Sequence, residues 1–382
     1  LKLNNLTLNN MVGYFYWGYL GDKKFDKKGN EVSTPDGNAF YSWSIIKALQ
    51  DSGESVYLFS DRDKVGYNIL DKELFASFAQ DARYNAWRTA LTPAEIDDVT
   101  TVYDKLSYAI VEWRWVIPGR NDEETKVNNP EGYQPDLEMM KDVIENCNKR
   151  NIPVIVFDLD YKLTENDIKE YGIEYVIELG NKWENSDIVK GKTVQIPFDF
   201  TYIDEFDIKM DNFSSDVIYI GNRYERDWCI DKYLPEGTVV HGNWLEPGHG
   251  DPQNEWPHIE FRKRVNASEI MKPYNDSVTT VLLAKKEYCD MGFMTARIQE
   301  AIFYGTVPLF IREYGQSTIY TYAGKYANLL TVYNKEDVSR VVEDFKRNPE
   351  MRKDVIKYLR KHLRFMDSKF FVNDIKALVY GN

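Results

Sequence analysis

Two Rossmann-like, doubly wound α/β domains facing a central cleft are the fold this sequence predicts, on three observations. Short apolar runs rich in β-branched residues alternate with helix-period segments, as buried parallel strands and their crossovers do. The alternation breaks at 197–215, a stretch rich in Asp, Phe and Tyr and poor in helix signals, and then restarts. The chain of 382 residues, 43% hydrophobic and 14% aromatic, is long enough to fill two cores of ordinary size.

The opening LKLNNLTLNN is low in complexity and is left outside the fold. A strand is expected at 12–17, a polar loop with Lys23, Lys24, Lys27 and Lys28 at 23–36, and an amphipathic helix at 39–50. Asp51-Ser52-Gly53 stops that helix before a strand at 55–60. Strands at 107–113, 154–157 and 175–177 follow, with a helix at 135–150 between the first two. After the linker, strands are expected at 216–220, 239–242, 278–283 and 307–311. Helices are expected at 224–233, 267–272, 295–304, 335–347 and 349–366. The domains are then 11–200 and 201–366, and the last segment, 367–382, is a helix returning to the first domain. Two similar domains joined by a hinge imply the cleft.

Composition excludes several classes of function. No run of about 18 apolar residues predicts a membrane helix, and no signal-peptide pattern opens the chain. Cys147, Cys229 and Cys289 are odd in number and lack metal spacing, as do the histidines. This points to a reducing, cytoplasmic setting without a structural zinc. A formal charge of −13 opposes nonspecific adhesion to nucleic acid or an anionic membrane, so any nucleic-acid contact must be local. A monomer is expected.

The residues 290–310, DMGFMTARIQEAIFYGTVPLF, place Arg297 and Glu300 one helical turn apart between two apolar strands. Ligands of open α/β sheets bind beyond the carboxyl ends of the strands, where helix N-termini meet phosphate. A guanidinium there can hold diphosphate oxygens and a carboxylate can accept ribose hydroxyls, so the pair suits a nucleoside diphosphate. A solvated ion pair worth about 0.2–0.5 kcal/mol is the plainer alternative. The strand at 216–220 runs into G-N-R-Y-E-R, where Gly221 and Asn222 let backbone amides approach phosphate and Arg223 and Arg226 add charge. An ordinary strand-end turn reads equally well. Asp158 closes the run Ile152-Pro-Val-Ile-Val-Phe and is preferred as a general base. Helix capping is its alternative role, and Asp160 competes for the chemistry.

Taken in chain order, these pieces resemble the DNA β-glucosyltransferases of T-even bacteriophages, two-domain nucleotide-sugar enzymes of the GT-B fold. The resemblance spans nearly the whole chain from Val12. It rests on Thr34-Pro35-Asp36-Gly37, the strand ending at Asp158, the linker into D-V-I-Y-I-G, H-G-N at His241, F-R-K-R-V at Phe261, Tyr288 and the R-x-x-E pair. It implies Asp158 as general base and Gly221 and Asn222 as the diphosphate turn, with Arg223 or Arg226 on phosphate. Gly242 would make a backbone contact to the nucleotide, and Arg264 and Val265 would lie at the uracil. Tyr288 would lie near the donor sugar, Arg297 on the diphosphate and Glu300 on the ribose. Asn38 stands where the family has an acidic side chain near the sugar.

The resemblance implies inverting transfer from a UDP-sugar, UDP-glucose or a relative. The acceptor would be the hydroxyl of a 5-hydroxymethylpyrimidine in double-stranded phage DNA, extruded from the helix in an infected host's cytoplasm. Lys23, Lys24, Lys27 and Lys28, and the loop 114–126 with Arg114 and Arg120, are the candidate DNA contacts, although a lysine cluster reads equally as a solvated loop. Mg2+ or Mn2+ could assist departure of UDP, without a dedicated carboxylate cage in the sequence. Two rivals stand beside this reading: a GT-B enzyme for a saccharide or small-molecule acceptor, and a non-catalytic GT-B-like nucleotide-binding protein.

Overall fold

The computed structural model describes residues 11–16, 23–25, 31–33, 38–59, 102–180, 182–198, 200, 207–265 and 269–381, with the backbone alone for 23–25, 31–33, 38–40 and 43. The chain divides into two compact units. One comprises Leu1–Gly21, Asn38–Pro197 and Ser368–Asn382, the other Asp22–Gly37 and Phe198–Asp367.

The strands in chain order begin with β1 (Met11–Phe15), an antiparallel ribbon of β2 (Lys23–Phe25) and β3 (Glu31–Ser33), and β4 (Ser55–Phe59). The polar loop expected at 23–36 therefore contains a ribbon, whose short strands lack the apolar run by which longer ones are recognised. Then come β5 (Leu106–Glu112), β6 (Val154–Asp158), β7 (Tyr175–Glu178) and β8 (Lys190–Thr193). The first unit's sheet is parallel in the order β4-β1-β5-β6-β7-β8. Val12, Tyr14, Ile110, Val156 and Ile177 have no exposed surface, which is why these strands read as unbroken apolar runs.

Helix Asp136–Lys149 buries Leu137, Met140, Ile144 and Cys147, the spacing of a single helical face. The last helix, Ser368–Tyr380, packs on helix Asn38–Asp51 and on β7 and β8 within this unit. It carries Phe371 to 5.4 Å from Phe157, ring to ring. Burying that phenylalanine contributes about 1.5–3 kcal/mol.

The second unit contains β9 (Ser215–Ile220), β10 (Val239–His241), β11 (Glu260–Arg262), β12 (Ser277–Leu282), β13 (Val307–Ile311) and β14 (Thr331–Val332). They form a parallel sheet in the order β11-β10-β9-β12-β13-β14. The short strands β8, β11 and β14 were not expected, because none carries an apolar run of its own. Helix starts also shift. The helix expected from 224 begins at Asp227 and the one expected from 295 at Arg297, while the one expected at 267–272 is Met271–Asn275. Among the described residues, no helix is long and apolar enough to cross a membrane.

Candidate active site

The strand order of the second sheet reverses between β9 and β12, because β10 and β11 extend it on one side and β13 and β14 on the other. Such a switch point leaves a crevice beyond the strand ends, since the flanking connections leave on opposite faces. Gly221 follows β9, and helix Arg297–Phe303 belongs to the connection from β12 to β13, so the two candidates meet there.

Close backbone packing shapes the turn. Gly221 N–H donates to the His241 carbonyl at 2.8 Å, and Trp244 Nε1–H donates to the Gly221 carbonyl at 2.7 Å. A Cβ on Gly242 would fall on the Gly221 carbonyl, and a Cβ on Gly221 would stand 2.5 Å from Arg297 Nη2. Glycine is required at Gly242, where backbone stands in the way, whereas a side chain at Gly221 would have to push Arg297 and Tyr219 aside. Asn243, fully buried, accepts from Arg223 N–H at 2.7 Å and meets His249 Nε2 at 2.9 Å, which fixes the next residues of the turn.

Arg297 reaches back across the switch point. Its Nε donates to the Ile220 carbonyl at 2.6 Å, Nη1 donates to Thr295 Oγ1 at 3.1 Å, and its guanidinium lies 5.4 Å from the centre of the Tyr219 ring. Glu300, 7% exposed, accepts from Tyr274 Oη at 3.4 Å. The pair is thus embedded in a tyrosine-lined floor, and the solvated ion-pair alternative does not describe it.

Arginines beneath this helix hold it in place. Arg360 donates to the carbonyls of Ile302 and Phe303, each at 2.9 Å, placing a cation on the helix C-terminus. Arg352, 1% exposed, donates to the carbonyls of Val278, Lys209, Ser277 and Gly305, and burial lowers its pKa to about 10.

The remaining second-unit candidates divide by what they already hold. Arg226 is buried and donates to the carbonyls of Asn222 at 3.2 Å and Tyr224 at 2.9 Å, so it rivets the turn from within. Arg223 pairs with Asp227 and Glu255 at 2.7 and 2.6 Å. Arg264 makes a forked pair with Glu246, and Val265 beside it is half-buried, both just beyond β11. Tyr288 is 7% exposed, its ring edge-on to Phe293 at 4.7 Å. The carboxyl ends of β11, β10, β9 and β12 thus carry all of these residues along one edge of the sheet.

In the first unit, β5, β6 and β7 lie side by side, and each ends in a buried carboxylate: Glu112, Asp158 and Glu178. Asp158 has no exposed surface. Its oxygens accept from Lys162 N–H at 2.9 Å and Leu163 N–H at 3.1 Å, binding the turn that leads to helix Glu165–Tyr171. Burial raises its pKa to about 6, against the lowering effect of those two hydrogen bonds and of Lys182. Glu178, its register partner, accepts from Trp183 N–H at 2.7 Å, and burial raises its pKa as well. Asp160 lies in the following turn and is partly exposed. Asp158 thus holds the turn after β6, but it does not cap the helix that follows, whose N-cap is Thr164, and Asp160 is the partly exposed carboxylate of this strand end.

The cationic candidates are also placed. Arg114, 4% exposed, donates through Nε to buried Asp136 at 3.0 Å, and Arg120 meets the same oxygen at 3.2 Å. The expected loop 114–126 contains the start of helix Glu123–Asn128. Lys23 and Lys24 lie on β2, their side chains outside the described residues, as are Lys27, Lys28 and residues 34–37. Among the described residues, no group of His, Cys, Asp and Glu could hold a metal ion.

No family model and no curated protein matches this chain. Among solved structures, a T4 phage BGT mutant in complex with UDP-glucose aligns over 97% of this chain and 99% of its own, at a TM-score of 0.63 and 14% identity. HepE of Anabaena in complex with UDP-glucose aligns over 97% and 100%, at 0.55 and 9%. The chain has the GT-B fold. In GT-B terms, the switch point between β9 and β12 lies in the C-terminal Rossmann-like unit, and the strand-end carboxylates lie in the N-terminal one. Sequence reasoning assigned no role to Asn243 of the quoted H-G-N turn and missed Trp244, Tyr219 and Tyr274, which build this candidate site from below. Trp244 stands directly after that quoted turn, whereas nothing in the sequence distinguishes Tyr219 and Tyr274 from core residues.

Proposed function

We propose that the protein is a UDP-sugar-dependent, inverting glycosyltransferase. The observation that carries this reading is Arg297 set against the Gly221 turn at the sheet's switch point, with Glu300 one helical turn along the same helix. Its support is a fold shared, over nearly the whole chain, with structures holding UDP-glucose. In the proposed reaction the acceptor hydroxyl oxygen bonds to the anomeric carbon as the bond from that carbon to the diphosphate breaks. The hydroxyl proton passes to a carboxylate, and UDP leaves with the electron pair, its charge met by Arg297. We assign proton removal to the end of β6, and within it to Asp160, because Asp158 is buried and tied to the turn.

For the acceptor we propose the hydroxymethyl group of a modified pyrimidine in duplex phage DNA, in keeping with the likeness to T4 phage BGT. A saccharide or small-molecule acceptor is the second reading. It is favoured by the charge of −13 and by the commitment of Arg114 and Arg120 to Asp136. Mass spectrometry of hydroxymethylated and unmodified duplexes, incubated with a panel of UDP-sugars, tests the choice. One added sugar on hydroxymethylated DNA alone is expected. UDP release with saccharides but unchanged DNA selects the second reading, and UDP binding without release for any acceptor leaves a non-catalytic protein.

A further inference from the structure

We propose that the pocket beside Arg223 to Trp228 is a separate binding site for a neutral, hydroxyl-rich ligand, a saccharide in chemical class. The pocket encloses about 700 Å3, and its wall carries Tyr224 and Trp228, which leave 56% and 40% of their surfaces open. Broad rings left open beside a concavity mark a place where something apolar and flat stacks, and the C–H faces of a sugar ring do so. His249 meets the Tyr224 ring edge-on at 6.2 Å and fixes its attitude. Glu225, next to Tyr224 in the chain, holds a left-handed backbone with φ of 50°, a conformation a glutamate rarely adopts.

The polar wall is already ordered. Arg223 Nε and Nη2 donate to Asp227 at 2.9 and 2.7 Å, Nη2 also reaches Glu255 at 2.6 Å, and the guanidinium lies 5.0 Å from the centre of the Trp256 ring. Each carboxylate accepts at several lone-pair positions, so Asp227 and Glu255, with side chains 49% and 40% exposed, retain acceptor capacity for hydroxyl donors. Glu225 is partnered by Lys285 at 3.7 Å. The lining sets four carboxylates, Glu225, Asp227, Glu255 and Glu287, against two cations, Arg223 and Lys286. A phosphate or nucleic-acid backbone would meet this excess of negative charge, and a full cation would find three of the four carboxylates already paired, Asp227 and Glu255 with Arg223 and Glu225 with Lys285. A neutral polyol meets neither penalty: its hydroxyls donate to the carboxylates and accept from Lys286 while its ring stacks on Tyr224 or Trp228.

Saturation-transfer NMR on the full chain, with maltotriose as the neutral probe, glucosamine trimer as the cationic one and tripolyphosphate as the anionic one, tests this without any transfer reaction. Maltotriose is expected to bind saturably, with Kd of about 1–10 mM, and saturating UDP is expected to leave its signal intact. Trp228→Ala and Tyr224→Ala should each weaken it about tenfold while UDP affinity stays within about twofold, and Trp228→Phe should restore most of the binding. Stronger binding of the cationic or anionic probe, displacement of maltotriose by UDP, or equal affinity in the alanine variants would overturn the proposal, as would the absence of saturation.

Discussion

Arg297 lies against the backbone of Gly221: its Nε donates to the Ile220 carbonyl at 2.6 Å, and its Nη2 occupies the space into which a Gly221 side chain would grow. The turn proposed to receive phosphate and the cation proposed to neutralise the diphosphate are therefore one packed unit. Gly221→Ala should displace the guanidinium at about 1–3 kcal/mol of strain. The expected result is a folded protein with a lower Tm whose UDP affinity falls by at least about tenfold, or 1.4 kcal/mol. Calorimetry showing unchanged UDP affinity would separate this turn from the nucleotide site.

Glu300 is proposed to receive the ribose hydroxyls. Glu300→Ala should weaken UDP binding by about 1.5–3 kcal/mol, the range for hydrogen bonds to a charged partner. Tyr274→Phe removes only the 3.4 Å hydrogen bond to Glu300, and should change UDP affinity by less than about 1 kcal/mol. Equal losses in both variants would show that Glu300 acts through packing.

The pattern of legible and hidden residues follows from what each residue is near in sequence. β9, β12 and β13 were readable because burial on both faces forces consecutive apolar residues, and Arg297 and Glu300 because helical spacing alone puts them on one face. The commitment of Arg223 to Glu255 and of Arg114 to Asp136 was not readable, since each joins residues 20 or more positions apart through the fold. The same limit applies at the end of β6. Alternation places Asp158 and Asp160 on one side of an ideal strand, but the chain turns after Asp158, and that turn is what buries one carboxylate and opens the other.

That difference predicts separate consequences for the two aspartates. Asp160→Asn should leave UDP affinity intact and reduce transfer by about 10²–10⁴-fold, the usual contribution of a general base. If Asp160→Asn transfers sugar at the wild-type rate, proton removal belongs elsewhere, with Asp158 first in line.

Asp158 should instead reveal itself in stability against pH. Its folded pKa of about 6 stands above the ordinary 3.8, so the folded state holds the proton more tightly than the unfolded chain does. Its favourable contribution is complete below 3.8 and is lost as the pH rises through about 6. Relative to Asp158→Asn, the wild type should therefore lose on the order of 3 kcal/mol across that window. Urea denaturation of both proteins at several pH values from below 4 to above 7 reads the difference directly. A constant difference would mean that Asp158 ionises normally in the folded protein.

The DNA acceptor makes the sharpest demand on an acidic chain, because association must use few cations. If duplex DNA is the acceptor, its affinity should fall with salt at a logarithmic slope of about −0.9 per phosphate neutralised. Lys23→Ala with Lys24→Ala should reduce that slope by about 1 per lost contact and leave UDP binding and Tm unchanged. Arg114→Ala should behave differently: Arg114 and Asp136 are 4% and 1% exposed, and losing one partner of a buried pair is destabilising by about 3–5 kcal/mol. Arg120, 18% exposed on the same carboxylate, limits that loss and is the most exposed member of the trio. Arg120→Ala should therefore lower both Tm and the salt slope. Duplex titrations from low to moderate salt, with UDP present, decide the matter: absence of binding even at low salt removes DNA as the acceptor and leaves the saccharide or small-molecule reading.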